Sequence, residues 1–72
     1  MPVTLERAQA AKQAARLRLA HLSGIVGIGI TRVGEDYAVK INLRDAHDAG
    51  AVPPEIDGVP VRVEVVGSIR AR

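Results

Sequence analysis

Two stretches rich in β-branched residues, Ile25 to Thr31 and Tyr37 to Leu43, flank the tetrapeptide Val33-Gly34-Glu35-Asp36. Strands joined by so short a connection pair as an antiparallel hairpin, with Gly34 free to take the positive φ of a tight turn. With Gly34-Glu35 as the loop, Ile30 is set opposite Val39, Ile28 opposite Ile41 and Val26 opposite Leu43, so every large apolar pair lies on one side. Thr31 opposite Ala38, Gly29 opposite Lys40 and Gly27 opposite Asn42 make the other side. Side chains alternate faces along a strand, so slipping the register by one residue mixes the two sets, and this fixes the pairing. A sheet with one apolar face needs a cover.

Thr4 to His21 supplies it. Thr4 is a capping residue, Glu6 sits in the positive first turn, and neither Gly nor Pro interrupts before Gly24. Leu5, Ala8, Ala11, Ala15, Leu19 and Leu22 follow three- and four-residue spacing along one face, with Ala10, Ala14 and Leu17 on its flank. Small side chains contribute little burial each but let the helix backbone lie close to a sheet. Arg18 and His21 place cations in the last turn, where the helix dipole favours them.

Arg44 to Asp57 contains Asp45, Asp48, Gly50, Pro53 and Pro54 without a sustained period and reads as a loop with one helical turn at most. Asp57-Gly58 then turns the chain into Val59-Pro60-Val61-Arg62-Val63-Glu64-Val65-Val66, a third half-buried strand with proline near its start. The reading is a single α+β domain over residues 1–72, in α-β-β-β order. Its N-terminal helix (about 4–21) packs on a three-stranded, mostly antiparallel sheet (strands about 25–32, 37–43 and 59–66, with a loop over 44–58).

The chain has 72 residues, no Cys, no Trp, no Phe and one Tyr. A core assembled from Val, Ile, Leu and Ala in so short a chain is marginal, and neither disulfide nor thiolate-bound metal staples it. A homo-oligomer, a dimer first, is the expected remedy, with another protein as the other candidate partner. Hydrophobic residues at 47% and charged residues at 25% are too apolar a mixture for intrinsic disorder. No apolar run approaches the roughly 20 residues that span a bilayer, and the basic residues of the first segment are scattered through it rather than set ahead of an apolar block. A cytoplasmic protein with no membrane partner is expected. Residues 1–22 carry Arg7, Lys12, Arg16 and Arg18 against Glu6, residues 23–66 carry four basic residues against seven acidic ones, and Arg70 and Arg72 follow. The basic helix is a candidate anion-binding surface for nucleic acid, although one tyrosine offers almost nothing for bases to stack on.

Chemistry-bearing residues are few. Ser23 and His21, two apart at a helix end, point in different directions, and Asp45, His47 and Asp48 supply one imidazole and no cysteine to a metal. Gly24, Gly27 and Gly29 follow a helix and enter a strand, the reverse of a dinucleotide-binding loop. The Gly24-Ile25-Val26-Gly27 tetrad imitates the loop of KH RNA-binding domains, but that loop joins two helices. No catalytic residue, cofactor or metal site is expected. On the side of the hairpin away from the core, Gly27 and Gly29 beside Lys40 and Asn42 form a shallow trough, and with Arg62 on the same face they make a candidate partner-binding surface.

The segments Val26-Gly27-Ile28-Gly29-Ile30, Tyr37-Ala38-Val39-Lys40-Ile41-Asn42-Leu43 and Pro54-Glu55-Ile56-Asp57-Gly58-Val59-Pro60-Val61-Arg62-Val63-Glu64-Val65-Val66-Gly67 resemble a small α/β domain that precedes the catalytic domain of some bacterial trypsin-like serine proteases. Those domains also open with a helix, run through a glycine-alternating strand and end on a strand introduced by Ile-x-Gly-Val-Pro-Val. The resemblance implies a non-catalytic accessory or regulatory module in a bacterium, with a protease-like protein as its partner. No catalytic residue belongs to the matching part, and the sequence ends where a protease domain would begin.

Overall fold

A computed structural model describes residues 3–67 of the chain. Thr4 caps the first helix as its sequence position suggests: its backbone is extended and its hydroxyl accepts from the Arg7 N–H at 3.2 Å. The helix, α1, runs Leu5–Arg18, and Ala8, Ala11, Ala15 and the C-cap Leu19 are buried. It is shorter than the 4–21 expected, so His21 lies beyond the last turn, whose cations are Arg16 and Arg18. Leu5 is 43% and Leu17 81% exposed, so the buried face narrows to the alanine row and Leu19.

The hairpin strands are β1 (Ile25–Val33) and β2 (Asp36–Leu43), antiparallel, with Ile28 opposite Ile41, Ile30 opposite Val39 and Gly29 opposite Lys40, as the alternation demands. Only Gly34 of the two-residue loop has positive φ (63°), the pattern of a II′ hairpin turn, whose twist matches its strands. The expected pairing of Val26 with Leu43 is corrected. A bulge between Ile25 and Gly27 sets Ile25 opposite Leu43 and turns Val26 outward.

Residues 44–58 hold more structure than a loop. Asp45 caps a 3-10 helix over Ala46–Ala51, accepting from the His47 N–H at 2.8 Å, and a two-residue strand, β3 (Glu55–Ile56), follows. Asp57 (φ 52°) and Gly58 (φ 80°) both sit in the left-handed region, the signature of a I′ turn, and return the chain as β4 (Val59–Val65). Strand order is β1-β2-β4-β3, with β4 parallel to β2 and antiparallel to β3. The three-stranded, mostly antiparallel sheet is therefore corrected to a four-stranded mixed one, still α+β with a single helix. The parallel pairing follows from the length of residues 44–58, enough chain to cross over and re-enter the sheet beside β2 in the same direction.

The core lies between α1 and the sheet. Val39, Ile41, Leu43, Ile56 and Val59 are fully buried, with Val3 and Val52 closing the ends and Ile28, Ile30, Tyr37 and Val61 packed around them. Val3 is tied to the head of the hairpin: its N–H donates to the Asp36 carboxylate at 2.8 Å, and its carbonyl accepts from the Tyr37 N–H at 3.3 Å. Among the described residues no helix is long and apolar enough to cross a membrane.

Candidate functional site: the open sheet face and the β4 edge

The face of the sheet away from α1 carries two rows set by strand register. Gly29, Lys40 and Arg62 are neighbours across three strands, and Gly27, Asn42 and Glu64 form the next row. All five candidate partner-binding residues, Gly27, Gly29, Lys40, Asn42 and Arg62, are thus brought together. Thr31, Arg32, Lys40, Arg62 and Glu64 line a shallow groove of about 260 Å³ there. Lys40 Nζ lies 3.4 Å from Glu64 Oε1, which partly neutralises the groove. The two glycines differ. Nothing lies within 4 Å of where a β-carbon on Gly29 would stand, whereas one on Gly27 would meet Asn42 Nδ2 at 3.5 Å. Asn42 leans over Gly27, and its Oδ1 is shielded without a hydrogen-bond partner among the described residues.

The candidate anion-binding residues do not form one patch. At about 100° per residue, Arg7 and Arg18 fall on one flank of the buried alanine row and Lys12 and Arg16 on the other. Arg18 donates to the Asp57 carboxylate at 3.0 Å, and the Arg7 guanidinium reaches the β3–β4 turn beside Gly58. One flank is therefore occupied by the acidic turn, and Arg70 and Arg72 lie outside the described residues. Arg32 stacks over Tyr37, 5.5 Å from the ring centroid, which engages the one aromatic ring. The Asp45 and Asp48 carboxylates accept from backbone N–H groups, of His47 and Gly24 respectively, and among the described residues no three metal-ligating side chains converge.

Sequence reasoning missed the outer edge of β4. Alternation predicts a strand half-buried throughout, yet Val63 is 40% and Val65 50% exposed, because α1 lies mainly over β1 and β2. On this edge β3 reaches only Pro60 and Val59, and the Val61 N–H is taken by the Pro54 carbonyl at 3.0 Å. The Val66 N–H points inward to the Leu43 carbonyl at 2.8 Å. Backbone groups alternate sides along a strand, so those of Val63 and Val65, with the Val61 carbonyl, face outward, and among the described residues no strand pairs with them. The signal was present as Val65-Val66, where alternation fails, but it acquires meaning only once β4 is known to sit outside β2. No family model, curated protein or solved structure matches the chain.

Proposed function

We propose that this is a non-catalytic, cytoplasmic protein-binding module that accepts an extended segment by strand addition at β4. The observation that carries the reading is the free edge at Val63–Val65, with exposed valines on one face and a groove lined by Lys40, Arg62 and Glu64 on the other. Strand addition gains affinity from main-chain hydrogen bonds and selectivity from alternate side chains meeting the two faces. A protease-like protein, the partner implied by the family resemblance, is one candidate owner of such a segment.

Val63→Pro tests it. Proline is tolerated where the lost N–H faces outward on an edge, so the fold should survive while the added strand loses a donor. Support would be a host protein retained by the wild-type chain from nuclease-treated lysate, released by Val63→Pro, and protecting the Val63 and Val65 amides from exchange when bound. Retention that nuclease abolishes would overturn the reading in favour of a nucleic-acid binder on the basic helix, and retention indifferent to Val63→Pro would place the contact elsewhere.

A further inference from the structure

We infer that the outer edge of β1 takes up an extended acidic segment of another protein as an added strand. This edge lies across the sheet from β4, and the inference stands independently of strand addition there. Val33 and Asp36 close the two-residue hairpin loop as a hydrogen-bonded pair, so the N–H and C=O groups of Val33, Thr31, Gly29 and Gly27 turn towards β2. Those of Ile28, Ile30 and Arg32 turn outward. Among the described residues no strand pairs with them, since β1 is the outermost strand on its side. From Gly27 to Val33 the ladder runs without irregularity, and the strand carries neither proline nor lysine and a single charge, Arg32. Of the devices that close an exposed edge, only the bulge at its start is present.

Charge decides what fits. Arg7 and Arg18 reach the β3–β4 turn, so the opposite flank of α1, with Lys12 and Arg16, lies on the β1 side of the sheet. Arg32 shares the helix side of β1 with Ile28 and Ile30 and stacks there on Tyr37. Lys12, Arg16 and Arg32 thus border the edge with one sign of charge. Among the described residues none of the three has a carboxylate within ion-pair distance. β1 contains no acidic residue, and Glu6, the one acid of α1, falls on the side of the helix away from the sheet. The Asp36 carboxylate, at the head of β2, is engaged by the Val3 N–H.

An added strand directs alternate side chains to each face of the sheet. Carboxylates at every second position therefore all meet the cations on the helix side, while the residues between them meet the uncharged Gly27, Gly29 and Thr31 on the open face. Backbone hydrogen bonds hold the segment, and the cations select it. A second copy of this chain lacks the complement: two β1 strands paired about a two-fold axis set their helices side by side, with Lys12 and Arg16 facing the same residues of the other copy. Nucleic acid supplies the negative charge but no peptide backbone to complete the ladder.

The probe is a synthetic peptide alternating glutamate and valine, with a control carrying lysine in place of glutamate, each titrated into the full chain while amide exchange is followed residue by residue. The glutamate peptide should bind, slow exchange at Ile28, Ile30 and Arg32, and leave Val63 and Val65 unchanged; the lysine peptide should not bind. Arg16→Glu and Arg32→Glu should each weaken binding about fivefold, the loss of one exposed ion pair. Arg7→Glu makes the same charge change on the other flank and should alter binding less than about twofold at physiological salt, where exposed charges are screened beyond about 8 Å. Thermal melts establish that each variant is folded. Failure of the glutamate peptide to bind, binding that leaves Ile28 and Ile30 exchange unchanged, or equal losses from Arg7→Glu and Arg16→Glu overturns the inference. Protection of Ile28 and Ile30 that rises with protein concentration without peptide also overturns it, by assigning the edge to a second copy. A single-stranded oligonucleotide that displaces the peptide at comparable concentration would overturn it in favour of nucleic acid. Protection of Val63 and Val65 in place of Ile28 and Ile30 would sink addition at β1 and leave addition at β4 standing.

Discussion

The Asp48 carboxylate accepts a hydrogen bond from the backbone N–H of Gly24 at 3.2 Å, across 24 positions of sequence. The carbonyl of the same glycine accepts from the Arg44 N–H at 2.8 Å, so the entry to β1 and the exit from β2 are fastened at one residue. A β-carbon on Gly24 would collide with the Asp48 carboxyl oxygen. Gly24→Ala should therefore cost about 1–3 kcal/mol of stability by displacing the loop. In an Asp48→Ala background, where the obstructing oxygen is gone, the same change should cost much less. Denaturant melts of the four-member cycle check this, and equal costs in both backgrounds would show that the contact is not the cause.

Ile28→Asp and Lys40→Ala should differ by several kcal/mol. Ile28 lies opposite Ile41 on the core face, where a carboxylate finds no partner to offset its desolvation. Lys40 loses only a 3.4 Å contact with Glu64 between half-exposed side chains, worth about 1 kcal/mol at most. In a domain of this size each kcal/mol moves the melting midpoint by roughly 4–8 °C, so a calorimetric scan separates the two variants. Coincident midpoints would reverse the face assignment.

Gly29→Val should leave thermal stability unchanged or raise it by up to about 1 kcal/mol, because its φ is not positive, open space surrounds the new β-carbon, and valine suits a strand. Gly27→Val should destabilise, since it borders the bulge and its branches would press on Asn42. Capture of a host segment by Gly29→Val adds a second readout. Intact capture is expected with strand addition at the β4 edge, and its loss in a folded protein would move the contact to the open face.

Asp57 joins two effects that oppose each other when it is replaced. Its φ of 52° strains any residue with a β-carbon, and its carboxylate holds Arg18 at 3.0 Å in an exposed ion pair. The backbone effect should dominate, because exposed pairs contribute about 0–1 kcal/mol. Asp57→Gly is thus expected to be neutral or mildly stabilising despite losing the pair, while Asp57→Val, β-branched at positive φ, should cost about 1–2 kcal/mol. Urea midpoints for the two variants decide the order, and a larger loss for Asp57→Gly would assign the turn's stability to the ion pair.

Local signals carried the hairpin and the helix: the Gly34-Glu35 loop, the alternation through Ile28, Ile30, Val39 and Ile41, and the Thr4 cap are all effects among near neighbours. The β1 bulge was not legible, because Ile25 and Val26 are equally suited to the core and only the placement of Leu43 decides between them. Nor was the short strand Glu55–Ile56, which exists only as the partner of Val59 and Pro60 across the turn. Alternation places Gly29 beside Lys40 and Arg62 on the same face, but their shared row depends on β4 lying beside β2. The free β4 edge was not legible either, since it depends on strand order, which distant packing determines.

The parallel ladder between β2 and β4 also constrains how the molecule forms. Its first pair, Val39 and Val61, is separated by 22 positions, whereas the hairpin closes across two residues. Loop closure favours the hairpin first, leaving β4 to dock last against a strand already paired on its other side. Until it docks, the side of β2 that will receive it is exposed, and the β4 of a neighbouring chain fits that groove as well as its own. The order of assembly therefore makes exchange of the C-terminal strand between two chains the characteristic misfolding hazard of this topology, greatest when refolding at high protein concentration.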